Sequence, residues 1–503
     1  MPFHHNAVVV TFLAYILAML LIGWYAWLRT SDLSDYILGG RRLGRWVAAL
    51  SAGASDMSGW LLLGLPGYAY ASGLEAGWLA AGLLLGTYLN WRVMARRLRV
   101  YTEMAENALT VPAFLEHRFG DPTRLLRVVS ALFILLFFLF YTSSGLVAGG
   151  KLFATVFGLP YQWAVFAGAA TVIAYTLFGG FLAVSWTDLV QGLMMAAALL
   201  VVPVAAIDQV GGWASLTRQL DGLNPHLLQP ATALGGGPLS LAAIVSLLGW
   251  GLGYFGQPHI LARFKAIRSP DDVPAARRIA VSWTALTLVG AILVGLAGIV
   301  YLRTPLAGPD TEKVFMLLVN ALFHPVVAGV LLAAILAAIM STADSQLLVS
   351  SSALAEDFYK ALLRPGAGSR ELVGIGRGAV LCISVLACLL ALDPDSKVLD
   401  LVAYAWAGFG AAFGPTLLLS LFWSRMNRHG AMAGIVVGGL TVVVWKQLHG
   451  GWFDIYELVP GFVASAAAVV VVSLFTPPPA DSIVRRHREV VEVLRAPAVD
   501  GTP

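Results

Sequence analysis

Apolar runs of about twenty residues recur from one end of this 503-residue chain to the other. Thirteen can be marked, near residues 7–27, 47–73, 75–94, 124–154, 161–179, 186–207, 238–260, 275–302, 314–343, 372–391, 398–423, 430–447 and 454–475. Each is long enough as a helix to cross about 30 Å of hydrocarbon. Inside a bilayer every backbone amide must find its partner within the protein, and uninterrupted apolar runs of this length do so as helices. The expected fold class is an all-α integral membrane protein with about 13 transmembrane helices. Composition agrees, with 58% hydrophobic residues, 12% charged residues and a mean hydropathy of +0.79. The first run follows six residues that contain no basic segment or small-residue cleavage site. It is expected to remain as a helix rather than to be removed as a signal peptide.

Basic residues fix an orientation. With the N-terminus outside, the segments on the cytoplasmic side carry Arg29, Arg41, Arg42, Arg45, the cluster Arg92 to Arg127, the group Arg263 to Arg278, Lys360 to Arg377, Arg425, Arg428 and the tail Arg485 to Arg495. These hold 26 of the 32 Lys and Arg, leaving Lys151, Arg218, Arg303, Lys313, Lys397 and Lys446 outside. An odd number of crossings gives this positive-inside asymmetry, and an even number breaks it. The chain therefore reads as a multi-pass protein of the cytoplasmic (inner) membrane with a cytoplasmic C-terminus. A net charge of +4 and a pI near 9.0 belong to loops facing anionic lipid, which argues against nucleic-acid binding. The two cysteines, Cys382 and Cys388, fall in one apolar run and form no metal pattern. Residues 1–480 form the membrane domain and 481–503 a short charged tail, helix-prone to Arg495.

Two runs are interrupted. In the second, SAGASDMSGW from Ser51 places Asp56 and several serines among glycines, with Pro66 beyond. A carboxylate at that depth is costly unless it faces a cavity, a partner or an ion. Unwound backbone is tolerated there only where it lines a protein cavity. The break offers backbone oxygens of Ala54 and Met57, the hydroxyls of Ser55 and Ser58, and the Asp56 carboxylate. The plainer alternative has the serines bonding their own helix and Asp56 paired with a buried Arg. In the seventh run, GWGLGYFGQP from Gly249 makes a second break. Paired Gly/Pro-interrupted spans at matching positions point to the binding site of an inverted-repeat transporter. The repeats would cover about 47–207 and 238–423.

Downstream, Ala338, Ser341, Thr342 and Ser345 share one face of the helix formed by residues 333–352. Hydroxyls there, set against the carbonyls of the first break, make a neutral hard-oxygen cage suited to Na⁺; small-residue helix packing is the competing explanation. Trp250, Tyr254 and Pro258 of the second break, with Tyr141 of FYTSSG, could wall a pocket for a small zwitterion, although each aromatic alone reads as core. Asp188, Ser341, Asp344 and Ser345 could share an additional cation site, or the two acids could be interfacial and paired with arginines. Arg41 in LGGRRLG either anchors a cytoplasmic loop or forms a gate, with Glu356 and Asp357 as candidate partners. His259 reads more readily as structural than as a proton relay.

Several long motifs are similar to those of the sodium/solute symporter family. They are DYILGGRRLG from Asp35, LSAGASDMSGWLLLGLPG from Leu50, GGFLAVSWTD from Gly179, LGWGLGYFGQPHILARF from Leu248 and AYAWAGFGAAFGP from Ala403. The resemblance runs from about Tyr15 to Ala480. It implies two inverted five-helix repeats, the LeuT-like fold, and alternating access that couples L-proline uptake to inward Na⁺ movement. It implies a sodium site from Ala54, Met57, Ala338, Ser341 and Thr342, with Asp56 needed for high sodium affinity. It implies a solute pocket from Ser58, Gly59, Tyr141, Trp250, Tyr254 and Pro258. Thr142 and Ser345 stand where a close branch of that family has cysteine, and Asp344 where it has serine. The expected ligands are thus sodium as coupling ion, L-proline and the lipid bilayer, with no organic cofactor and no obligate protein partner. The rivals are a symporter of another small amino acid or carboxylate, and a solute sensor, against which the short tail argues. An enzyme is disfavoured because no nucleophile, base and orienting group cluster together.

Overall fold

The computed structural model describes residues 5–27, 37–176 and 180–495. Arg29, the Asp35–Tyr36 start of one motif, Gly179 and residues 496–503 lie outside the described residues. Within them the chain is helical, and its only β contacts are two isolated bridges, Leu43 with Ile267 and Thr232 with Pro238.

Nine helices among the described residues are long and apolar enough to cross a membrane. They are α1 (His5–Trp27), α7 (Leu125–Phe157), α9 (Phe181–Gln209), α13 (Val273–Tyr301), α15 (Pro325–Ser352), α16 (Ser369–Leu390), α17 (Val398–Phe422), α18 (Arg428–Trp445) and α19 (Leu458–Phe475). Four more passages are shorter or interrupted. The first joins α2 (Arg45–Asp56) to α3 (Leu65–Ser72) through a π-turn at Trp60–Gly64. The second runs from α4 (Ala76–Leu89) through a π-helical stretch into α5 (Arg96–Met104), the third is α8 (Tyr161–Thr176), and the fourth joins α11 (Leu241–Gly249) to α12 (Pro258–Ala266). Outside these lie α6 (Val111–Phe119), α10 (Trp213–Leu223), α14 (Val314–Leu322) and α20 (Asp481–Arg495).

Both expected interruptions are present. The helix stops at Asp56 and Met57 leaves helical geometry at φ −84°, ψ 74°. Between α11 and α12 the chain tightens to a 3₁₀ turn, Trp250–Gly256, and Gln257 is extended before Pro258 restarts the helix. That turn is pressed against α4, where a Cβ on Gly86 would lie 2.3 Å from the Gly251 carbonyl oxygen, so only glycine permits the approach.

The ninth run needs correction. Residues 314–343 are not one helix: α14 ends at Leu322, Phe323 is extended, and Pro325 opens α15 with the fixed φ that suits a first helical position. The membrane-length helix therefore starts eleven residues later and continues to Ser352 and beyond. Several basic residues assigned to loops are also buried. Arg263 and Lys265 lie inside α12, and Lys151 pairs with Glu312 out of solvent.

Burial identifies the centre of the bundle. In the most apolar stretch of α15 and of α17, 83% of residues are buried, against 28% in α1 and α19. The small residues Ala333, Ala334, Ala337 and Ala338 let neighbouring backbones approach α15 closely. α15 is thereby placed against the break that follows α2.

Candidate functional site

The end of α2 and the middle of α15 meet through three oxygens. Ser341 donates from Oγ to the Ala54 carbonyl at 2.8 Å and to the Ala338 carbonyl at 3.2 Å, and Thr342 Oγ1 donates to the same Ala54 oxygen at 3.3 Å. Ser341 and Thr342 are buried. Ala54 lies in the last turn of a helix, where carbonyls lose their intrahelical partners. Of the five residues expected at a sodium site, four therefore sit in one hydrogen-bonded group, and Met57 is the residue at which the backbone turns away.

Asp56 is next to this group and buried. Its Oδ2 accepts from the Tyr254 hydroxyl at 2.6 Å, and its Oδ1 has no hydrogen-bond partner. Its backbone carbonyl accepts from Tyr141 OH at 3.1 Å and from Trp60 Nε1 at 3.2 Å. One residue thus ties the first break to α7 and to the second break. Ser58 and Gly59 follow at once; Gly59 is wedged between α7 and α15, with Ala148 Cβ 2.7 Å from where its own Cβ would stand.

Trp406 of α17 organises the second break. Its Nε1 donates to the Trp250 carbonyl at 2.8 Å, its ring meets Tyr254 edge-on at 4.9 Å, and it lies across Gly253. Gln257 Nε2 donates to the carbonyls of Gly253 and Trp406, and Asn90 Nδ2 to that of Tyr254. The Trp250 ring stacks on Tyr456 at 5.2 Å, and Pro258 heads α12.

A second polar group surrounds Asp188, which is buried rather than interfacial. Its Oδ2 accepts from Ser51 at 2.6 Å, Ser55 at 3.0 Å and Arg263 Nη2 at 3.0 Å. Arg263 also donates to Ser345 Oγ at 2.6 Å, Ser51 Oγ at 3.0 Å and the His259 carbonyl at 2.9 Å. Ser345 in turn reaches Asp344 Oδ1 at 3.3 Å, and Asp188 Oδ1 and Asp344 Oδ2 remain unpartnered. Asp188 and Ser345 thus share a cation that the chain itself supplies, and Asp344 joins them through Ser345.

Arg41 is held by neutral acceptors: Asn107 Oδ1 at 2.9 Å, Thr102 Oγ1 at 3.1 Å, and the carbonyls of Lys265 at 2.7 Å and Ala108 at 3.2 Å. The acids considered as its partners are engaged elsewhere, Asp357 by Arg127 and Thr110, Glu356 by Lys360 and Arg127.

Sequence reasoning missed Arg263 and Trp406. By its place in the sequence Arg263 reads as a loop charge, although a carboxylate as deep as Asp188 requires a cation, and the arginine in HILARF stands on the other broken span. Trp406 carried no signal beyond its place in an apolar motif.

A bundle of membrane-length helices, two of its passages broken at the same site and lined there by freed carbonyls, hydroxyls and one carboxylate, defines a solute-transporter architecture. The chain belongs to the sodium:solute symporter family, whose profile matches residues 36–438. It is 52% identical over 482 residues to a sodium/proline symporter of Salmonella typhimurium, covering 95% of each chain. It is 52% identical over 485 residues to that of Escherichia coli, again over 95% of each, and 50% identical over 478 residues to a high-affinity proline transporter of Bacillus subtilis, covering 95% of this chain and all of the other. Among solved structures, a Na⁺-coupled sialic acid symporter superposes with a TM-score of 0.77 at 20% identity, over 94% of this chain and 99% of that one. A nucleobase–cation symporter superposes with a TM-score of 0.56 at 14% identity, over 91% and 98%. These two likenesses concern the fold.

Proposed function

We propose that this protein couples L-proline uptake to inward sodium movement by alternating access. The observation that carries this reading is the Ala54 carbonyl, which Ser341 and Thr342 of the neighbouring helix approach at 2.8 and 3.3 Å. The high identity to proline symporters over nearly the whole chain supports the choice of solute.

In this reading sodium is bound by the carbonyls of Ala54, Met57 and Ala338 and the hydroxyls of Ser341 and Thr342. Rotating two hydroxyl protons away turns donors towards Ala54 into oxygen ligands, and a neutral oxygen set suits a monovalent ion. Asp56 contributes nearby negative charge without being a ligand, and its bond to Tyr254 links ion binding to the solute pocket. Ser58, Gly59, Tyr141, Trp250, Tyr254 and Pro258 take the solute. Arg263 occupies the place of a second cation among Asp188, Asp344 and Ser345, which favours one sodium per cycle. Arg41 bridges the loops at the inner end and acts as a gate through neutral acceptors.

Counting the four shorter or broken passages as crossings gives thirteen, with the N-terminus outside and the C-terminus inside the inner membrane. The two breaks fall at matching points of inverted repeats over about 47–207 and 238–423. Sodium then need only favour the solute-competent conformer, and tenfold coupling corresponds to about 1.4 kcal/mol. Radiolabelled L-proline uptake into proteoliposomes, with an inward Na⁺ gradient against an equal K⁺ gradient, tests the proposal. Accumulation above equilibrium with sodium alone is expected. No accumulation under either gradient by folded protein overturns the assignment and favours another small solute.

A further inference from the structure

His259 is buried to 0% exposure, and neither of its ring nitrogens has a hydrogen-bond partner. An imidazole always presents at least one N–H donor, and burying it without a partner costs about 1–3 kcal/mol. Its surroundings explain what such a group could meet. The ring lies edge-to-face against Tyr141 at 5.8 Å and Phe138 at 5.6 Å, so it touches the wall proposed for the solute pocket. It follows Pro258 directly, in the first turn of α12. That turn is open: Pro258 has no N–H, and Leu261 is the first residue whose amide finds a partner, the Gln257 carbonyl at 3.0 Å. A helix N-terminus of this kind favours an anion. Arg263, one turn further on, adds positive charge on the same side and holds the His259 carbonyl. A small cavity of about 20 Å³ is lined by Pro258, Ala262 and Arg263 of α12 together with Ile134 of α7, Ser352 and Asp357.

We propose that His259 is a solute-binding residue, its imidazole N–H taking the carboxylate of the amino or imino acid together with the open first turn of α12. The contact forms at the inward edge of the pocket, where the solute leaves Tyr141 and Pro258 for the inner side. This rests on the symport reading above, and it adds a carboxylate-recognition element that the aromatic walls lack.

The test is equilibrium binding of tritiated L-proline to purified protein at saturating Na⁺, competed by unlabelled L-proline or by L-prolinamide, which keeps the ring and amine and lacks the carboxylate. In His259→Ala, L-proline affinity is expected to fall about 10- to 100-fold, the range for a hydrogen bond to a charged group. Prolinamide affinity and ²²Na⁺ binding without solute should stay as in the wild type, the latter also reporting that the variant is folded. His259→Asn, which keeps an N–H donor, should recover part of the loss. Equal weakening of proline and prolinamide, altered sodium binding, or unchanged proline affinity would each overturn the proposal and leave His259 as a structural group. If wild-type protein binds sodium but no L-proline, the symport reading itself falls and this inference with it.

Discussion

Replacing Arg263 by methionine removes a charge from the most connected group in the bundle while keeping much of the side-chain stem. The guanidinium makes four hydrogen bonds, to Ser51, Asp188, Ser345 and the His259 carbonyl, and lies 5.1 Å from the Phe181 ring centre. The Arg263–Asp188 pair is almost solvent-free, with side chains 1% and 0% exposed. Breaking a buried pair by removing one partner costs about 3–5 kcal/mol, because the surviving charge keeps its desolvation penalty. Four hydrogen bonds at about 1 kcal/mol each give a similar figure. Arg263→Met should therefore lose about 4 kcal/mol, and Asp188→Asn should be destabilising by a comparable amount. The double variant should recover at least about 2 kcal/mol of their sum, since neither charge is then stranded. Denaturation of purified protein followed by tryptophan fluorescence, at fixed sodium, measures all four corners of the cycle. The single methionine variant should also gain more thermal stability from added Na⁺ than the wild type does, because Ser51, Ser55, Asp188 and Ser345 are left around a cation-sized space. A methionine variant as stable as wild type, or strictly additive effects, would refute the idea that Arg263 is the resident cation of this group.

Other outcomes follow from the same geometry. Gly253→Ala would place a Cβ 1.9 Å from Trp406 Nε1; solute affinity should fall by about tenfold or more as the Trp406–Trp250 bond is lost, measured by L-proline binding, with ²²Na⁺ binding retained. The tail helix α20 docks by His487, which lies between Tyr101 OH and Arg118 Nη2, each at 3.3 Å. Burial, reinforced by Arg118 and Arg97, pushes the His487 pKa down to about 4. Docking disfavours the protonated ring, so it is strongest above about pH 6.5 and weakens as pH falls below that value. Docking should therefore be weaker at pH 5 than at pH 7.5. Hydrogen exchange of residues 481–495 at pH 7.5 and 5 reads this directly, and His487→Phe should abolish the difference.

The parts of the fold legible in the sequence were those set by local chemistry. Glycine clusters beside Asp56 and before Pro258 interrupt apolar runs, and both interruptions are there. The spacing of Ala338, Ser341 and Thr342 places them on one face, and that face meets Ala54. Long-range partners were harder to read. Arg263 looked like a loop charge because nothing local says that α12 turns inward to Asp188, 75 residues earlier in the chain. The partners of Arg41 come from separate segments, and two of the four are backbone carbonyls, which no residue pattern announces. The start of α15 is hard to read because α14 is as apolar as a crossing helix, and only Phe323 and His324 separate them.

The central claim is that sodium binds between the α2 break and α15, and equilibrium binding of ²²Na⁺ to purified protein tests it most directly. The account predicts saturable binding at one site per chain, weakened at least about tenfold by Ser341→Ala and further by adding Thr342→Val, each of which removes a ligand oxygen. Undiminished sodium binding by the folded double variant would contradict it and move the ion site elsewhere in the bundle.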